Sequence, residues 1–169
     1  HDLTAVGLSG ADACQVQVTK RPPWDINGES VDFGWVGDIE AIDPSLLERL
    51  LAQEIMPIVA PLGIDEDGQL YNVNADTVAS ALARALRAKE LLFVTGTGGV
   101  RRNAEDPASH LHTCNAETFD VGIEEGWIEG GMRVKMKTAL DALRDGVASA
   151  FVCAPDDLVS RSRATEVVE

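Results

Sequence analysis

The sequence has few basic residues, no long apolar run and no paired set of cysteines. Its 169 residues include 14 Lys and Arg against 28 Asp and Glu, which gives a formal net charge of −14. A surface this acidic repels phosphate backbones, so we expect no nucleic acid and no anionic membrane as partners. Because no apolar run is long enough to cross a bilayer, the sequence also predicts no membrane span.

The cysteines Cys14, Cys114 and Cys153 are odd in number and show no C-x-x-C spacing. This pattern argues against a disulfide scaffold and predicts a reducing, cytoplasmic location. No signal peptide is visible in the sequence. Since the chain begins with His1 rather than Met, we expect that residues are missing upstream.

What is present has the composition of one globular domain over residues 1–169, with 45% hydrophobic residues. Short apolar segments alternate with segments of helical period, which predicts an α/β fold with a mostly parallel sheet. Residues 21–28 contain two prolines and an Asn-Gly pair and are predicted to form a loop. The predicted strands are 15–19, 35–42, 56–60 (buried), 91–94 and 147–152, and helices are predicted to begin near residues 43, 75, 116 and 130.

A glycine-rich loop follows the predicted strand 91–94, and its residues are Thr95, Gly96, Thr97, Gly98 and Gly99. Glycines let a ligand approach the backbone closely, and ligands of open α/β sheets bind at the carboxyl ends of the strands. The loop matches neither the P-loop nor the dinucleotide-binding pattern. An ordinary turn between a strand and a helix is therefore the alternative interpretation.

A pair of glycines, Gly130 and Gly131, opens the next predicted helix, and Lys135 follows within its first two turns. The free backbone amides and the dipole of a helix N-terminus favour an anion, which the lysine could also reach. This combination suits a phosphoryl group whose charge is stabilised during transfer. The alternative is a lysine on a solvated helix face, where most lysines lie.

Three polar side chains, Asn72, Asn74 and Asp76, cluster just before and within the first turn of the helix near residue 75. Asn and Asp are preferred helix N-caps, so capping is a strong alternative to a ligand-binding role. One cap needs only one of the three residues, however. Alternation along an extended chain would place Asn72 and Asn74 on the same side.

The segment from His110 through His112 to Cys114 carries three side chains that can bind zinc and that would share one face of a strand. No second pair of ligands accompanies them, so a polar loop is the favoured interpretation and we predict no metal site in the protein.

Four segments, in this order, resemble the acetylglutamate kinases of the amino-acid kinase family. They are AVGLSGADA at 5–13, DFGWVGDIEAIDPSLLERLL at 32–51, PIVAPLGIDEDGQLYNVNADTVASALARAL at 57–86 and GGMRVKMKTALDAL at 130–143. The resemblance implies the family's three-layer α/β sandwich with a mostly parallel central sheet. Residues 1–169 would form its nucleotide-binding C-terminal domain, and the N-terminal half that binds the acyl-amino acid would be absent.

The same resemblance implies transfer of the γ-phosphoryl of ATP, with Mg²⁺, to the side-chain carboxylate of N-acetyl-L-glutamate, a step of arginine biosynthesis. By matching position, Lys135 would stabilise the phosphoryl and Asp76 would organise the catalytic groups. Asn72, with Asn74 beside it, would contact the acyl-amino acid. The nucleotide site would be lined by Thr95, Gly96, Thr97, Gly98, Gly99, Gly130 and Gly131. The expected partners are small-molecule substrates, and a homo-oligomer is possible.

Two positions depart from the family pattern, because Gly96 stands where the usual residue is Asp and Val134 where Pro is common. Two alternatives therefore stay open. The first is a kinase of N-acylated aminoadipate, whose one extra methylene is worth only about 1–3 kcal/mol in binding. The second is a degenerate, non-catalytic family member that binds an effector or a partner.

Overall fold

The computed structural model of the chain describes residues 3–169 and divides into two compact units. The first unit reaches to Val78, and the second runs from Ala79 to Glu169. No helix among the described residues is both long and apolar enough to cross a membrane.

The first unit contains most of the strands and one complete helix. The four-stranded sheet has the order β5-β2-β7-β8, while β1 pairs only with β6, and β3 pairs only with β4, among the described residues. The bounds are β1 Ala5–Ser9, β2 Val16–Lys20, β3 Trp24–Ile26, β4 Glu29–Val31, β5 Gly37–Ile42, α1 Ser45–Ala52, β6 Met56–Ala60, β7 Leu62–Ile64 and β8 Leu70–Asn72.

The alternating segment 15–19 forms β2 as predicted, with Val16 and Val18 buried and Gln17 exposed. The predicted strand 35–42 corresponds to β5, which pairs antiparallel with β2. Alternation gave the right result here because this sheet buries one of its faces.

The prediction of a loop over residues 21–28 is wrong for Trp24–Ile26, which forms β3 and pairs antiparallel with β4. Asn27 and Gly28 both have positive φ, 56° and 84°, and they form the tight turn between these two strands. An Asn-Gly pair is the preferred sequence for such a two-residue hairpin turn. The turn signal was therefore real, but its flanks are strands.

Helix α1 begins at Ser45, two residues after the predicted start near residue 43. Its N-cap residue, Pro44, makes no side-chain cap hydrogen bond, but the carboxylate of Asp43 accepts one from the Ser45 amide at 2.9 Å. Leu47 is buried, whereas Leu51 is exposed.

The segment 56–60 forms β6, but the prediction that it is buried is wrong. Met56 is 46% exposed and Ile58 is 60% exposed. The reason is that, within residues 3–169, β6 belongs to a sheet of only two parallel strands, in register from Ala5 opposite Met56 to Ser9 opposite Ala60. An apolar run indicates burial only where other elements cover both faces of the sheet.

The second unit is built on one four-stranded sheet in the order β10-β12-β11-β9. Helix α2 starts in the first unit and ends in the second. The bounds are α2 Ala75–Ala85, β9 Glu90–Val94, β10 Thr113–Cys114, α3 Ala116–Glu124, α4 Gly130–Arg144, β11 Ser149–Cys153 and β12 Thr165–Val167. Short 3-10 turns occupy Asp12–Cys14, Pro107–Ser109 and Pro155–Asp157.

The core of the second unit lies between this sheet and its helices. Strands β9 and β11 contribute Phe93 and Val152, α3 contributes Phe119, and α4 contributes Met136 and Leu140. The 3.6-residue period of α4 therefore marks the face that is buried, as predicted. Burial of these side chains is the main stabilising contribution to this unit.

The direction of the chain brings the predicted ligand-binding loops of this unit to one edge of its sheet. Strands β9 and β11 are parallel and in register from Glu90 opposite Ser149 to Val94 opposite Cys153. Helix α4 packs on β11 and precedes it directly, so it runs back along the sheet. Its N-terminus consequently lies at the edge where β9 and β11 end.

The predicted α/β class is confirmed, with parallel pairs between β1 and β6, β2 and β7, β9 and β11, and β10 and β12. The remaining strand pairs are antiparallel. Of the cysteines, Cys114 and Cys153 are buried thiols and Cys14 is exposed.

Candidate functional site at the carboxyl edge of the second sheet

The glycine loop follows β9 and is tied to the end of the neighbouring strand. The Thr95 amide donates to the Cys153 carbonyl at 2.9 Å, and the Gly98 amide donates to the Thr95 carbonyl at 3.0 Å. Gly98 has a φ of 72°, which accounts for a glycine at this position of the turn. The hydroxyls of Thr95 and Thr97 lie 3.3 Å apart.

The glycines on either side of Gly98 have different environments. A Cβ at Gly99 would lie 2.5 Å from Nε2 of His110 and 2.7 Å from the Arg163 carbonyl oxygen, so close packing requires glycine there. At Gly96 no atom lies within 4 Å of an added Cβ, and its φ is outside the left-handed region. Gly96 is therefore open to a ligand and is not explained by packing or by backbone strain.

The N-terminus of α4 is not capped by a side chain. Its N-cap residue, Glu129, makes no side-chain cap hydrogen bond, and the first turn holds no acidic residue. By contrast, Asn115 caps α3 by accepting from the Thr118 amide at 2.9 Å. A Cβ added at Gly130 or at Gly131 would have no neighbouring atom within 4 Å. Space beside Gly130 and Gly131 is thus open at this helix N-terminus, while the amides of Met132 and Arg133 donate to the Glu129 carbonyl at 3.1 and 3.3 Å.

Lys135 lies in the second turn of α4 and is half-buried, next to the fully buried Met136. The lysine two residues further on differs, since the Lys137 side chain is 67% exposed and pairs with Asp141 at 2.7 Å. Lys135 is therefore not on the fully solvated face of α4, which was the alternative explanation for it. The contrast makes Lys137 a natural control for Lys135.

The predicted residues of the first unit lie where β8 leads into α2. Asn74 caps α2, because its side-chain oxygen accepts from the Thr77 amide at 3.1 Å. Asn72 is the last residue of β8 and is exposed, and its backbone N–H donates a hydrogen bond to the Trp35 carbonyl at 2.8 Å. Asp76 is half-buried in the first turn of α2. Asn74 is thus the residue that caps α2. The side chains of Asn72 and Asp76 do not take part in that cap.

A cavity of about 610 Å³ opens at the glycine loop in the second unit. Four of the predicted nucleotide-binding residues line it, whereas Gly130, Gly131 and Lys135 do not. The lining also brings together residues that sequence reasoning did not assign to a site. The lining residues are Gly96, Thr97, Gly98, Gly99, Arg101, Pro107, Ala108, His110, His112, Ala154, Asp156, Ser162 and Arg163.

The histidines and the cysteine of the segment 110–114 do not form a zinc site. The rings of His110 and His112 are nearly perpendicular with centroids 4.9 Å apart, but Cys114 is buried in the core. Burial raises the pKa of the Cys114 thiol to about 11, so it is not a thiolate ligand. Across residues 3–169 there is no group of three or more His, Cys, Asp or Glu side chains that could hold a metal.

The segment after β11 is organised by a buried carboxylate, Asp157. It accepts hydrogen bonds from the Ser160 hydroxyl, from the Ser162 amide at 3.0 Å and from the Arg163 amide at 2.8 Å. These hydrogen bonds, led by that of Ser160, hold the pKa of Asp157 below its ordinary value. Asp157 thereby fixes the backbone that carries Ser162 and Arg163 to the cavity wall.

The sequence of this region contained one usable signal for the cavity. Arg101 follows the glycine loop almost directly, at a sheet edge where ligands bind. His110 and His112 were singled out for metal binding, and Arg163 lies in a segment with weak patterning. Arg101 and His110 pair directly in a β-bridge, whereas Arg163 is brought to them by the pairing of β12 with β10 and β11, which no local pattern predicts.

The chain matches the model of the amino acid kinase family over residues 1–154. It is 40% identical over 152 residues to an acetylglutamate kinase of Methanothrix thermoacetophila, covering 90% of this chain and 53% of that protein. It is 42% identical over 166 residues to an acetylglutamate kinase of Anaeromyxobacter dehalogenans strain 2CP-C, covering 95% of this chain and 62% of that protein. The chain thus spans little more than half the length of these curated relatives.

Solved structures agree on the fold. A Streptococcus mutans UA159 protein superimposes with a TM-score of 0.78 at 25% identity, over 98% of this chain and 61% of its own. A carbamate kinase of Giardia superimposes with a TM-score of 0.70 at 14% identity, over 98% of this chain and 62% of its own, and this second likeness concerns the fold alone. Together with the family match over residues 1–154, these findings place the chain in the amino acid kinase family.

Proposed function

We propose that this chain is the nucleotide-binding, C-terminal part of an acetylglutamate kinase. The reaction is transfer of the γ-phosphoryl of ATP to the side-chain carboxylate of N-acetyl-L-glutamate, which forms an acyl phosphate in arginine biosynthesis. Relatives named acetylglutamate kinase, at 40% and 42% identity, support this reaction. They do not favour the alternative of an aminoadipate kinase or of a non-catalytic protein.

The observation that carries the proposal is the open edge of the second sheet. The glycine loop and the uncapped N-terminus of α4 lie at the ends of β9 and β11, and Gly96 and Gly131 are glycines that packing does not require. A nucleotide that approaches the backbone accounts for both glycines. The N-terminus of α4 would then face its phosphates.

The proposed roles are those that the resemblance to acetylglutamate kinases implies. Lys135 neutralises charge on the transferring phosphoryl, and Asp76 organises the catalytic groups. Asn72 contacts the acyl-amino acid, while Asn74 holds the start of α2 in place. Such a mechanism needs positioning and electrostatic stabilisation and no covalent intermediate on the protein.

Mg²⁺ would enter with the phosphates of ATP, where it supplies positive charge, as is usual for kinases. The described residues contain no cluster of three or more side chains suited to hold a metal. We therefore assign no protein ligand to Mg²⁺, and no proposed step of this chain depends on one.

The experiment that tests the proposal is calorimetric titration of the chain with Mg²⁺ and a non-hydrolysable ATP analogue, which carries the third phosphoryl group that Lys135 is proposed to contact. We expect saturable binding that Lys135→Ala weakens about tenfold or more, a loss of about 1.4 kcal/mol. Lys137→Ala is the control, because Lys137 lies on the same helix but is mainly exposed. Absence of binding by the folded chain, or equal losses in the two variants, would contradict the proposal.

A further inference from the structure

A buried serine in α2 forms a hydrogen bond to a different helix of the second unit. Ser80 is only 3% exposed, and its hydroxyl donates to the Thr138 carbonyl of α4 at 3.0 Å. Serine is not a strong former of helix interiors, and its hydroxyl there often bonds to a carbonyl of its own helix. The hydroxyl of Ser80 reaches across to α4 and so fixes the place of one helix against the other.

The accepting residue lies in the same part of α4 as Lys135. Thr138 follows Lys135 by three residues, so the two are neighbours on the helix surface. The Thr138 hydroxyl donates back to the carbonyls of Val134 at 2.9 Å and of Lys135 at 3.0 Å, and its one proton serves both. Back-bonding of this kind slightly destabilises a helix. The backbone that carries Lys135 therefore gains from an external hold, which the hydrogen bond of Ser80 supplies.

Another connection between α2 and α4 lies at the opposite end of α4. Arg84 pairs there with Asp145 at 2.6 Å, and 40% and 53% of the two side chains are exposed. Exposed ion pairs contribute little to stability. Asp145 is also about 15 Å along the helix from Lys135, at a rise of about 1.5 Å per residue. The hydrogen bond of Ser80 is therefore the connection that can control the place of Lys135.

The exact place of Lys135 matters because its proposed role is electrostatic. A lysine side chain is flexible, so the position and direction of its backbone limit where the ammonium group can lie. Stabilisation of a transferring group requires the charge to be close to its productive geometry, and an error of about 1 Å is costly. A small shift or rotation of α4 would displace the ammonium group without unfolding the second unit.

We propose that Ser80 is a positioning residue of the phosphoryl site, which acts through Thr138 to hold the backbone of Lys135 in place. This role rests on the proposed function, because it requires that Lys135 contacts the phosphoryl group. Ser80 is itself buried and donates its hydroxyl to α4, so it acts on the helix and not on the nucleotide. The residues implied by the resemblance do not include it.

A double-mutant cycle tests this role by calorimetric titration of the chain with Mg²⁺ and a non-hydrolysable ATP analogue. The cycle compares the wild type, Ser80→Ala, Lys135→Ala and the variant that combines both substitutions. We expect Ser80→Ala to weaken binding about threefold or more in the wild-type chain, and to cause no further loss where Lys135 is already replaced. Positioning predicts this coupling, whereas a purely structural role would make the loss equal in both backgrounds.

Two further variants make the test specific. Ser80→Cys introduces a thiol of nearly the same size that donates only weakly, so we expect a smaller loss of affinity than in Ser80→Ala. It also keeps the test decisive if Ser80→Ala does not fold. Arg84→Gln is the matched control, because it breaks the connection at the other end of α4, and we expect it to bind the analogue like the wild type. Urea unfolding shows that each titrated chain is folded.

The outcomes separate the role of Ser80 from the proposed function. If Lys135→Ala binds the analogue as tightly as the wild type, the proposed role of Lys135 fails and that of Ser80 fails with it. If Lys135→Ala weakens binding but the Ser80 variants do not, or if Ser80→Ala costs the same in both backgrounds, only the positioning role is overturned. A loss in Arg84→Gln as large as that in Ser80→Ala would overturn it as well.

Discussion

The glycines of the loop after β9 are glycines for different physical reasons, and substitution can separate them. Alanine at Gly99 would collide with His110, the Arg163 carbonyl and Thr165, so we expect Gly99→Ala to lower the free energy of unfolding by about 1–3 kcal/mol. Alanine at Gly96 meets open space, and we expect a change within about 0.5 kcal/mol. Urea unfolding of both variants checks this, and equal losses would contradict the assignment of Gly99 to packing.

The environment of His110 predicts a pH dependence of stability. Burial, with help from the nearby charges of His112 and Arg101, lowers the pKa of His110 below its ordinary value of 6.5, while a hydrogen bond involving the Arg163 backbone and the charge of Asp157 act in the opposite direction. The folded state therefore disfavours the protonated imidazole. Its contribution to stability is fully present above the unfolded pKa and is lost as pH falls from there through the lower folded pKa.

Urea unfolding at neutral and at mildly acidic pH measures this effect. Between these two conditions we expect the wild-type chain to lose more stability than His110→Gln, because the variant has no imidazole to protonate there. His112→Gln is expected to reduce the dependence only in part, because it removes one of the charges that lower the pKa of His110. If the free energy of unfolding changes with pH equally in His110→Gln and in the wild type, His110 is not the group responsible.

At the scale of single residues, the sequence indicated which residue types stand at strand and helix ends. It did not indicate which residues lie beside them in the fold. The glycine loop Thr95–Gly99 and the glycine pair at the start of α4 could be located, because they lie where a strand ends and a helix begins. The opposite wall of the cavity could not, because Arg163 is brought to the directly paired Arg101 and His110 only through the pairing of β12. Local patterns contain no information about such long-range pairing.

Among the elements, the start of α2 offers a direct test of a capping function against a binding function. Asn74 accepts from the Thr77 amide, so we expect Asn74→Ala to cost about 1 kcal/mol of stability. Asn74→Asp keeps the acceptor and is expected to stay close to the wild type. Thermal or urea unfolding decides, with Asn72→Ala as a control on the neighbouring strand. If Asn74→Ala leaves the free energy of unfolding unchanged, the cap does not stabilise α2.

The errors in predicting elements have a common physical origin. Residues 21–28 looked like a loop because prolines and an Asn-Gly pair break regular structure, yet the same pair makes the turn of the β3–β4 hairpin. Segment 56–60 looked buried because it is apolar, yet β6 has only β1 beside it among the described residues. Local propensity identified the turn and the strand correctly in these two cases. What it did not indicate was which strand each one pairs with.

For the molecule as a whole, the sequence predicted the α/β class and the order of the motifs, but not the division into units. The boundary between Val78 and Ala79 falls inside α2, where no proline, glycine or charge run marks it. Composition reveals a boundary only where a linker differs from the domains that it joins. Here the helix is continuous, so only the contacts within each unit reveal the division.

The exposed apolar surface of the β1–β6 sheet leads to a prediction about association of this chain. Met56 and Ile58 lie exposed on a strand that has a single partner in the part of the chain that the structure describes, and such strands tend to associate with other chains. We expect sedimentation velocity to show self-association that grows with concentration, and we expect Ile58→Thr to reduce it, because threonine keeps the strand propensity while removing apolar surface. The control is Val159→Thr, since Val159 is 95% exposed but lies outside any strand. If Val159→Thr reduces association as much as Ile58→Thr, general hydrophobicity would be the cause; if the wild-type chain stays monomeric at every concentration, the β1–β6 surface does not drive association.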